Sequence, residues 1–320
     1  MRLFRTTPNF DFIRWRWHAL ALSTVIIMAG AALVVTRGLP LGIDFAGGTA
    51  IVVKFERPVT EQAILEALAS QPGEKMVQRY GAPGDNEILI RLPELVVEQG
   101  ASLEQGARAV FDRLKQANLG NFVEQSTEIV GPAVGADLQR KGIYATLFSL
   151  AAITAYIAIR FRVSFALGSI VATFHDILAT LAFLVFFEYE LSLNIVAAML
   201  TMVGYSVNDM IVIFDRVREN SRLARREPLE KVINDSINQT LTRTVITSGT
   251  IFLSVLALYV FGGEVLEGFA FTMLVGTVAT TYSGWFIAPS IAIMLSKPSA
   301  SVRAAAAAAT GGQRPNKKRA

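Results

Sequence analysis

Leu191-Ser192-Leu193-Asn194-Ile195-Val196-Ala197-Ala198-Met199-Leu200-Thr201-Met202-Val203-Gly204-Tyr205-Ser206-Val207-Asn208-Asp209-Met210-Ile211-Val212-Ile213-Phe214 is apolar enough and long enough to cross a bilayer, yet it holds an aspartate. A helical run of about 18 or more apolar residues spans a ~30 Å hydrocarbon core. Five further runs accompany it, at 17–36, 142–159, 163–187, 244–261 and 268–295. The composition agrees: 52% of the 320 residues are hydrophobic and mean hydropathy is +0.44. Charged residues make up 18%, below the roughly 25% of soluble domains. These values exclude a disordered chain and an ordinary cytosolic enzyme. The fold class is a polytopic α-helical membrane protein with six transmembrane helices.

The loops set the orientation. Lys and Arg number 4 before the first run, 2 at 160–162, 7 in 215–243 and 6 after 296. The turns at 188–190 and 262–267 carry none and hold Glu188, Glu190, Glu264 and Glu267. Short basic loops stay cytoplasmic, so both termini are expected inside and residues 37–138 outside. The first run follows Arg2, Arg5, Arg14 and Arg16 like the start of a signal peptide. Its apolar core runs near twenty residues rather than 7–15, which makes it a retained anchor.

Four segments follow: 1–36, a cytoplasmic start and first membrane helix; 37–138, an external domain; 139–296, a five-helix bundle; and 297–320, a basic tail expected to be disordered. The external segment has 9 basic and 14 acidic residues, a formal charge of −5. No nucleic-acid surface is expected, and the pI of 9.4 reflects the inside loops. Strand-like pieces near 50–55, 75–80, 87–92 and 121–130 alternate with helices at 60–69, capped by Thr60, and from Ser102 to about Ala117. That β-α-β-β-α-β order is the ferredoxin-like unit. With no cysteine, thiol chemistry and Cys-ligated metals are ruled out, and no metal or cofactor is expected. No Gly-x-x-x-x-Gly-Lys-Ser/Thr loop is present, so ATP binding and enzymatic turnover are not expected.

Charge inside a span costs at least ~2.5–3.5 kcal/mol at a helix centre and marks functional paths. Asp209 and Asp176 are the two such acids, and Asp176 follows His175. The natural cation for Asp209 is Arg243, at the start of the fifth run, since a guanidinium holds a carboxylate without giving up its proton. An acid that alternates between a paired, charged form and a released, protonated one is the minimum for a proton relay. Tyr205, Ser206, Asn208, Thr244, Thr247 and Ser248 would line its path. The competing reading is a structural ion pair that fixes helix register. For His175 and Asp176 the bland alternative is polar packing within the bundle. In 215–243, Leu229, Val232, Ile233, Ile237 and Leu241 form an apolar stripe after Pro228, which predicts an amphipathic helix along the membrane surface. Gly276, Thr280, Gly284 and Ala288 recur every fourth residue and permit close helix contact.

Several motifs carry a resemblance. Gly42-Ile43-Asp44-Phe45-Ala46-Gly47-Gly48 resembles the signature after the first helix of SecD/SecF proteins. Val203–Asp209 running into Phe214-Asp215-Arg216-Val217-Arg218-Glu219-Asn220, and Asn238–Gly249, resemble the fourth- and fifth-span motifs of the family's SecF branch. Gly262-Gly263 through Gly268-Phe269 and His175-Asp176 fall in familiar places, and the match covers about 1–296.

The resemblance implies a bacterial inner-membrane subunit that pairs with SecD into an RND-like twelve-helix unit. It implies association with the SecYEG channel, with YajC in some bacteria, and use of the proton motive force to draw unfolded polypeptides into the periplasm. It further implies that Asp209 and Arg243 belong to the proton path. Gly42, Asp44, Gly47 and Gly48 would couple the first span to the periplasmic 37–138 domain, with a tight turn at Gly47-Gly48 as the plainer account. The rivals are half of an RND-like small-molecule or lipid exporter and a translocon scaffold that uses no protons.

Overall fold

The computed structural model describes residues 8–70, 75–80, 84–92, 103–224 and 226–296. The 297–320 tail, the cap at Ser102 and the basic residues Arg2 and Arg5 lie outside them. Six described helices are long and apolar enough to cross a membrane. They are α1 (Arg16–Arg37), α5 (Pro132–Arg160), α6 (Val163–Phe186), α7 (Leu193–Leu223), α8 (Leu229–Phe261) and α9 (Glu264–Leu295). Between α1 and α5 lie α2 (Ile43–Ala46), β1 (Gly48–Phe55), α3 (Glu61–Ala67), β2 (Met76–Tyr80), β3 (Glu87–Leu92), α4 (Leu103–Gln116) and β4 (Phe122–Val130).

The strands form one antiparallel sheet in the order β2-β3-β1-β4, the ferredoxin-like arrangement. Alternation along β1 sends Ile51, Val53 and Phe55 to the face covered by α3 and α4. There they pack with Ile64, Leu68, Ile90, Val110 and Leu114. Fully burying side chains of this kind stabilises by roughly 1.5–3 kcal/mol each. Thr60 caps α3, its Oγ1 accepting from the Ala63 N–H at 3.3 Å. The sheet continues into the bundle through Gly131 and Pro132, where proline at the first helical position starts α5.

In the bundle, α6, α7 and α9 are the core. Over half of the apolar window of α6 is buried (56%), against 6% for α5 and 11% for α8. Lipid supplies no hydrophobic drive between helices, so close contact rests on small residues. Gly168 of α6 sits where an added Cβ would lie 2.6 Å from the Ala288 carbonyl oxygen of α9. Gly276 faces the Met202 side chain of α7, and Gly284 lies near Ile213. The every-fourth-residue stripe of α9 thus packs within the chain.

One expectation is corrected. The stripe at Leu229–Leu241 does not belong to a separate surface helix: α8 runs uninterrupted from Leu229 through Arg243 to Phe261. Val232, Ile233, Ile237 and Leu241 are buried against Ile213, Phe214 and Val217 of α7, which itself continues to Leu223. Within 215–243, residues 215–223 and 229–243 are therefore two packed helix ends. An amphipathic stripe has the same period on a surface helix and on the protruding end of a spanning one, so sequence does not separate them.

Candidate functional site

Asp209 lies on α7, whose start is fixed by Ser192, with Oγ accepting from the Ile195 N–H at 3.3 Å. Six residues beyond Asp209, Arg160 of α5 bridges both oxygens of Asp215 at 2.8 and 2.9 Å. The helix is held on both sides of the acid. Asp209 is 5% exposed, and its carboxylate has no hydrogen-bond partner among the described residues. One turn earlier, the Tyr205 hydroxyl lies 2.7 Å from Ser248 Oγ of α8, which lies 3.0 Å from Thr281 Oγ1 of α9. A polar ladder therefore crosses α7, α8 and α9 beside the acid.

Arg243 is close enough to interact electrostatically with Asp209, but no ion pair within 4.0 Å joins them. The closed pair expected from sequence is not formed. Arg243 is exposed, as is Asn208 on α7, and neither side chain is hydrogen-bonded among the described residues. Thr247 spends its hydroxyl on the Arg243 carbonyl at 2.9 Å, one turn back. Along the same open faces, Thr201 of α7 and Thr250 and Ser254 of α8 also bond their own helices.

Asp176 and His175 belong to a separate network. Ser206 Oγ of α7 donates to Asp176 Oδ2 at 2.7 Å, and His175 Nδ1 lies 3.1 Å from Oδ1. His175 Nε2 reaches Ser23 Oγ of α1 at 2.9 Å. Ser206 is three residues before Asp209, so the two sites share a helix without touching.

The Gly42–Gly48 turn is wedged between α5 and the α6–α7 turn. Leu191 donates its N–H to the Pro40 carbonyl at 2.7 Å, and Gly42 N–H donates to the Leu191 carbonyl at 2.8 Å. Asp44 Oδ2 accepts from the Leu193 N–H at 2.9 Å. Gly47 has φ +73°, and a Cβ there would lie 3.2 Å from Pro132 Cα, so glycine is required twice over. Arg91 of β3 forms an ion pair with Glu190 in the α6–α7 turn, a second tie between domain and bundle.

Three features escaped the sequence reading: Ser23, Tyr282 and an N-terminal strap. In the strap, Asn238 accepts from the Phe10 N–H and donates to its carbonyl, both at 2.8 Å, while Asn234 accepts from the Phe12 N–H at 2.9 Å. The spacing of Asn234 and Asn238, one helical turn apart on α8, is the signal that was available.

Fold and site define a polytopic membrane protein with a buried acid in its bundle and a small α+β domain between its first two spans. Known proteins match this description. A family model, protein export membrane protein SecD/SecF, C-terminal, matches residues 110–298, and the SecD/SecF GG motif matches residues 32–59. The protein translocase subunit SecF of Rhodothermus marinus is 42% identical over 320 residues, covering 96% of this chain and 100% of that one. The Escherichia coli O157:H7 protein of the same name is 38% identical, covering 89% and 88%. A crystal structure of SecDF, a translocon-associated membrane protein from Thermus thermophilus, superposes with a TM-score of 0.81 at 34% identity. That match covers 91% of this chain and 39% of the SecDF chain, so this chain spans about two fifths of it. The chain belongs to the SecD/SecF family, on its SecF side: a protein translocase subunit of the SecF type.

Proposed function

We propose that this subunit pairs with a SecD-type sister in a bacterial inner membrane and helps the proton motive force draw polypeptides through the Sec channel. It does so without enzymatic chemistry. The carrying observation is the open face of α7 and α8, where Asn208 and Arg243 stand exposed and unpaired beside the buried Asp209. An unpaired guanidinium at the edge of an apolar run is costly against lipid, so a partner helix covers it. The acid that completes the path would come from that partner. Because Asp209 and Arg243 are near but not closed into a pair, they suit a relay better than a structural pin within this chain. Both termini would be cytoplasmic and the sheet domain periplasmic, as the basic loops suggest. SecYEG, and YajC where present, would be the further partners.

The test is proton-gradient-dependent export in inverted vesicles, comparing wild type with Asp209→Asn and Arg243→Met, with the sister subunit supplied and assembly checked. Loss of the gradient-dependent part in an assembled Asp209→Asn complex is expected. Full response to the gradient would leave the scaffold reading in its place.

A further inference from the structure

A hydrogen-bond chain runs from a cavity lined by Ser23, His175 and Tyr282 to the fully buried Asp176, and its donors can be counted. The Tyr282 hydroxyl of α9 has one hydrogen, given to the Ala19 carbonyl of α1 at 2.6 Å. Toward Ser23 Oγ, 3.3 Å away, it therefore accepts, and Ser23 spends its single hydrogen there. Ser23 must then accept from His175 Nε2 at 2.9 Å, so Nε2 carries a hydrogen. At the other end, Ser206 Oγ gives its hydrogen to Asp176 Oδ2, and Ser283 Oγ, also beside the carboxylate, gives its own to the Thr280 carbonyl at 3.1 Å. Between His175 Nδ1 and Asp176 Oδ1, 3.1 Å apart, there is room for one proton. With none, a lone pair faces a carboxylate; with two, a donor faces a donor. Asp176 is fully buried and His175 is 9% exposed, so water does not readily repair either mismatch.

We propose that the His175–Asp176 dyad is a proton-counting latch, which ties α1 to α6, α7 and α9 only while one proton is shared between Nδ1 and Oδ1. Gaining or losing that proton turns the imidazole or the carboxylate away and frees either Ser23 on α1 or Ser206 on α7. The release has a direct outlet. Two turns beyond Ser23, Gly30 of α1 is packed on Ala182 of α6, and α1 then leads into the Gly42–Gly48 turn and the sheet domain. The groups facing the dyad are Ser23 from α1, Ser206 from α7 with Asp209 one turn on, and Tyr282 and Ser283 from α9. Among them only Asp209 is also a carboxylic acid, and it does not touch the dyad. The inference deepens the proton-driven reading and rests on it, but it is read out without export.

The chain has no cysteine, so pairs of introduced cysteines report cleanly. Val123 on the sheet and Leu223 at the far end of α7 are both exposed. Spin labels at these two positions, in the complex with its sister subunit, would give the domain-to-bundle distance distribution from pH 5 to 9. A pH-dependent shift is expected in wild type. Asp176→Asn should abolish it, while Asp209→Asn should retain part of it. Ser23→Ala, which removes the hydroxyl that ties His175 to α1 while leaving both titrating side chains in place, should leave assembly intact and uncouple the distance from pH. The chain has two histidines, and 15N-histidine spectra, assigned by loss in His175→Gln, should show a protonated Nε2 at His175. A wild-type distribution that ignores pH, an Asp176→Asn response equal to wild type, or a bare Nε2 would each overturn the latch. Loss of the shift in Asp209→Asn alone would also overturn it, by assigning the response to Asp209. Export that fails in Asp209→Asn while these readouts behave as expected leaves both readings standing.

Discussion

Asp44 Oδ2 accepts a hydrogen bond from the backbone N–H of Leu193 at 2.9 Å, so an acid from the turn after α1 caps the first residue of α7. The first four N–H groups of a helix lack partners within it, and negative charge there also meets the positive end of the helix dipole. The capped helix is the one that carries Asp209, sixteen residues on. At 1.5 Å per residue the two ends of this lever are about 24 Å apart. The turn that links α1 to the sheet is thus bonded to the N-terminal end of the acid-bearing helix.

Loss of this cap is expected to cost about 0.5–2 kcal/mol, the range for removing a capping side chain. Asp44→Ala should lower the thermal unfolding midpoint of the detergent-purified protein. Asp44→Asn, which keeps an acceptor and drops the charge, should fall between the two. Identical melting of Asp44→Ala and wild type would show that the bond contributes nothing to holding α7.

How far the site could be read from sequence depended on whether a signal was local. Asp209 stands out because one charge interrupts an apolar run, and the Gly42–Gly48 turn because its glycines are tied to backbone geometry. Ser23 and Tyr282 gave no such signal. A hydroxyl in a spanning helix satisfies itself on the preceding turn, as Thr250 does, so its tertiary partner leaves no trace in its own segment. Helix ends were hidden for a related reason. The first turns of α5, with the Lys141–Asp137 ion pair at 2.7 Å, carry no apolar run, yet the helix starts at Pro132. The distance between Asp209 and Arg243 depends on how α7 and α8 pack, which neither segment encodes alone.

The helix contacts make a ranking of glycine substitutions. At Gly30 an added methyl would overlap the Ala182 Cβ and come 2.7 Å from its Cα; at Gly168 it would meet a backbone oxygen at 2.6 Å. Neither obstacle can swing aside, so Gly30→Ala and Gly168→Ala should each destabilise by roughly 1–3 kcal/mol, the range for overpacking. At Gly276 the obstacle is the flexible Met202 thioether, which can change rotamer. Gly276→Ala should therefore cost less than either. Thermal midpoints of the three variants, measured together, check the order; a Gly276 variant weaker than the other two would contradict it.

Tyr189, in the turn between α6 and α7, gives a pH test that does not involve the membrane-spanning acids. Its hydroxyl donates to Glu267 Oε1 at 2.5 Å, lies 3.4 Å from the Tyr259 hydroxyl, and its ring stacks on Phe271 at 4.4 Å. Burial first, and then the hydrogen bond to Glu267, push the phenol well above its ordinary value. The folded state therefore keeps this proton to higher pH than the unfolded chain does, where a tyrosine ionises near pH 10. Stability contributed by Tyr189 is fully present below about pH 10 and is lost as pH rises beyond it. Tyr189→Phe lacks both the bond and the titration. At neutral pH it should unfold more readily than wild type, by about 1.5–3 kcal/mol for a hydrogen bond to a charged acceptor. Between pH 9 and about 11, wild type should lose stability faster, and the two curves should converge. Parallel curves over that range would mean that the folded protein releases the Tyr189 proton as easily as the unfolded chain, and that Glu267 does not hold it.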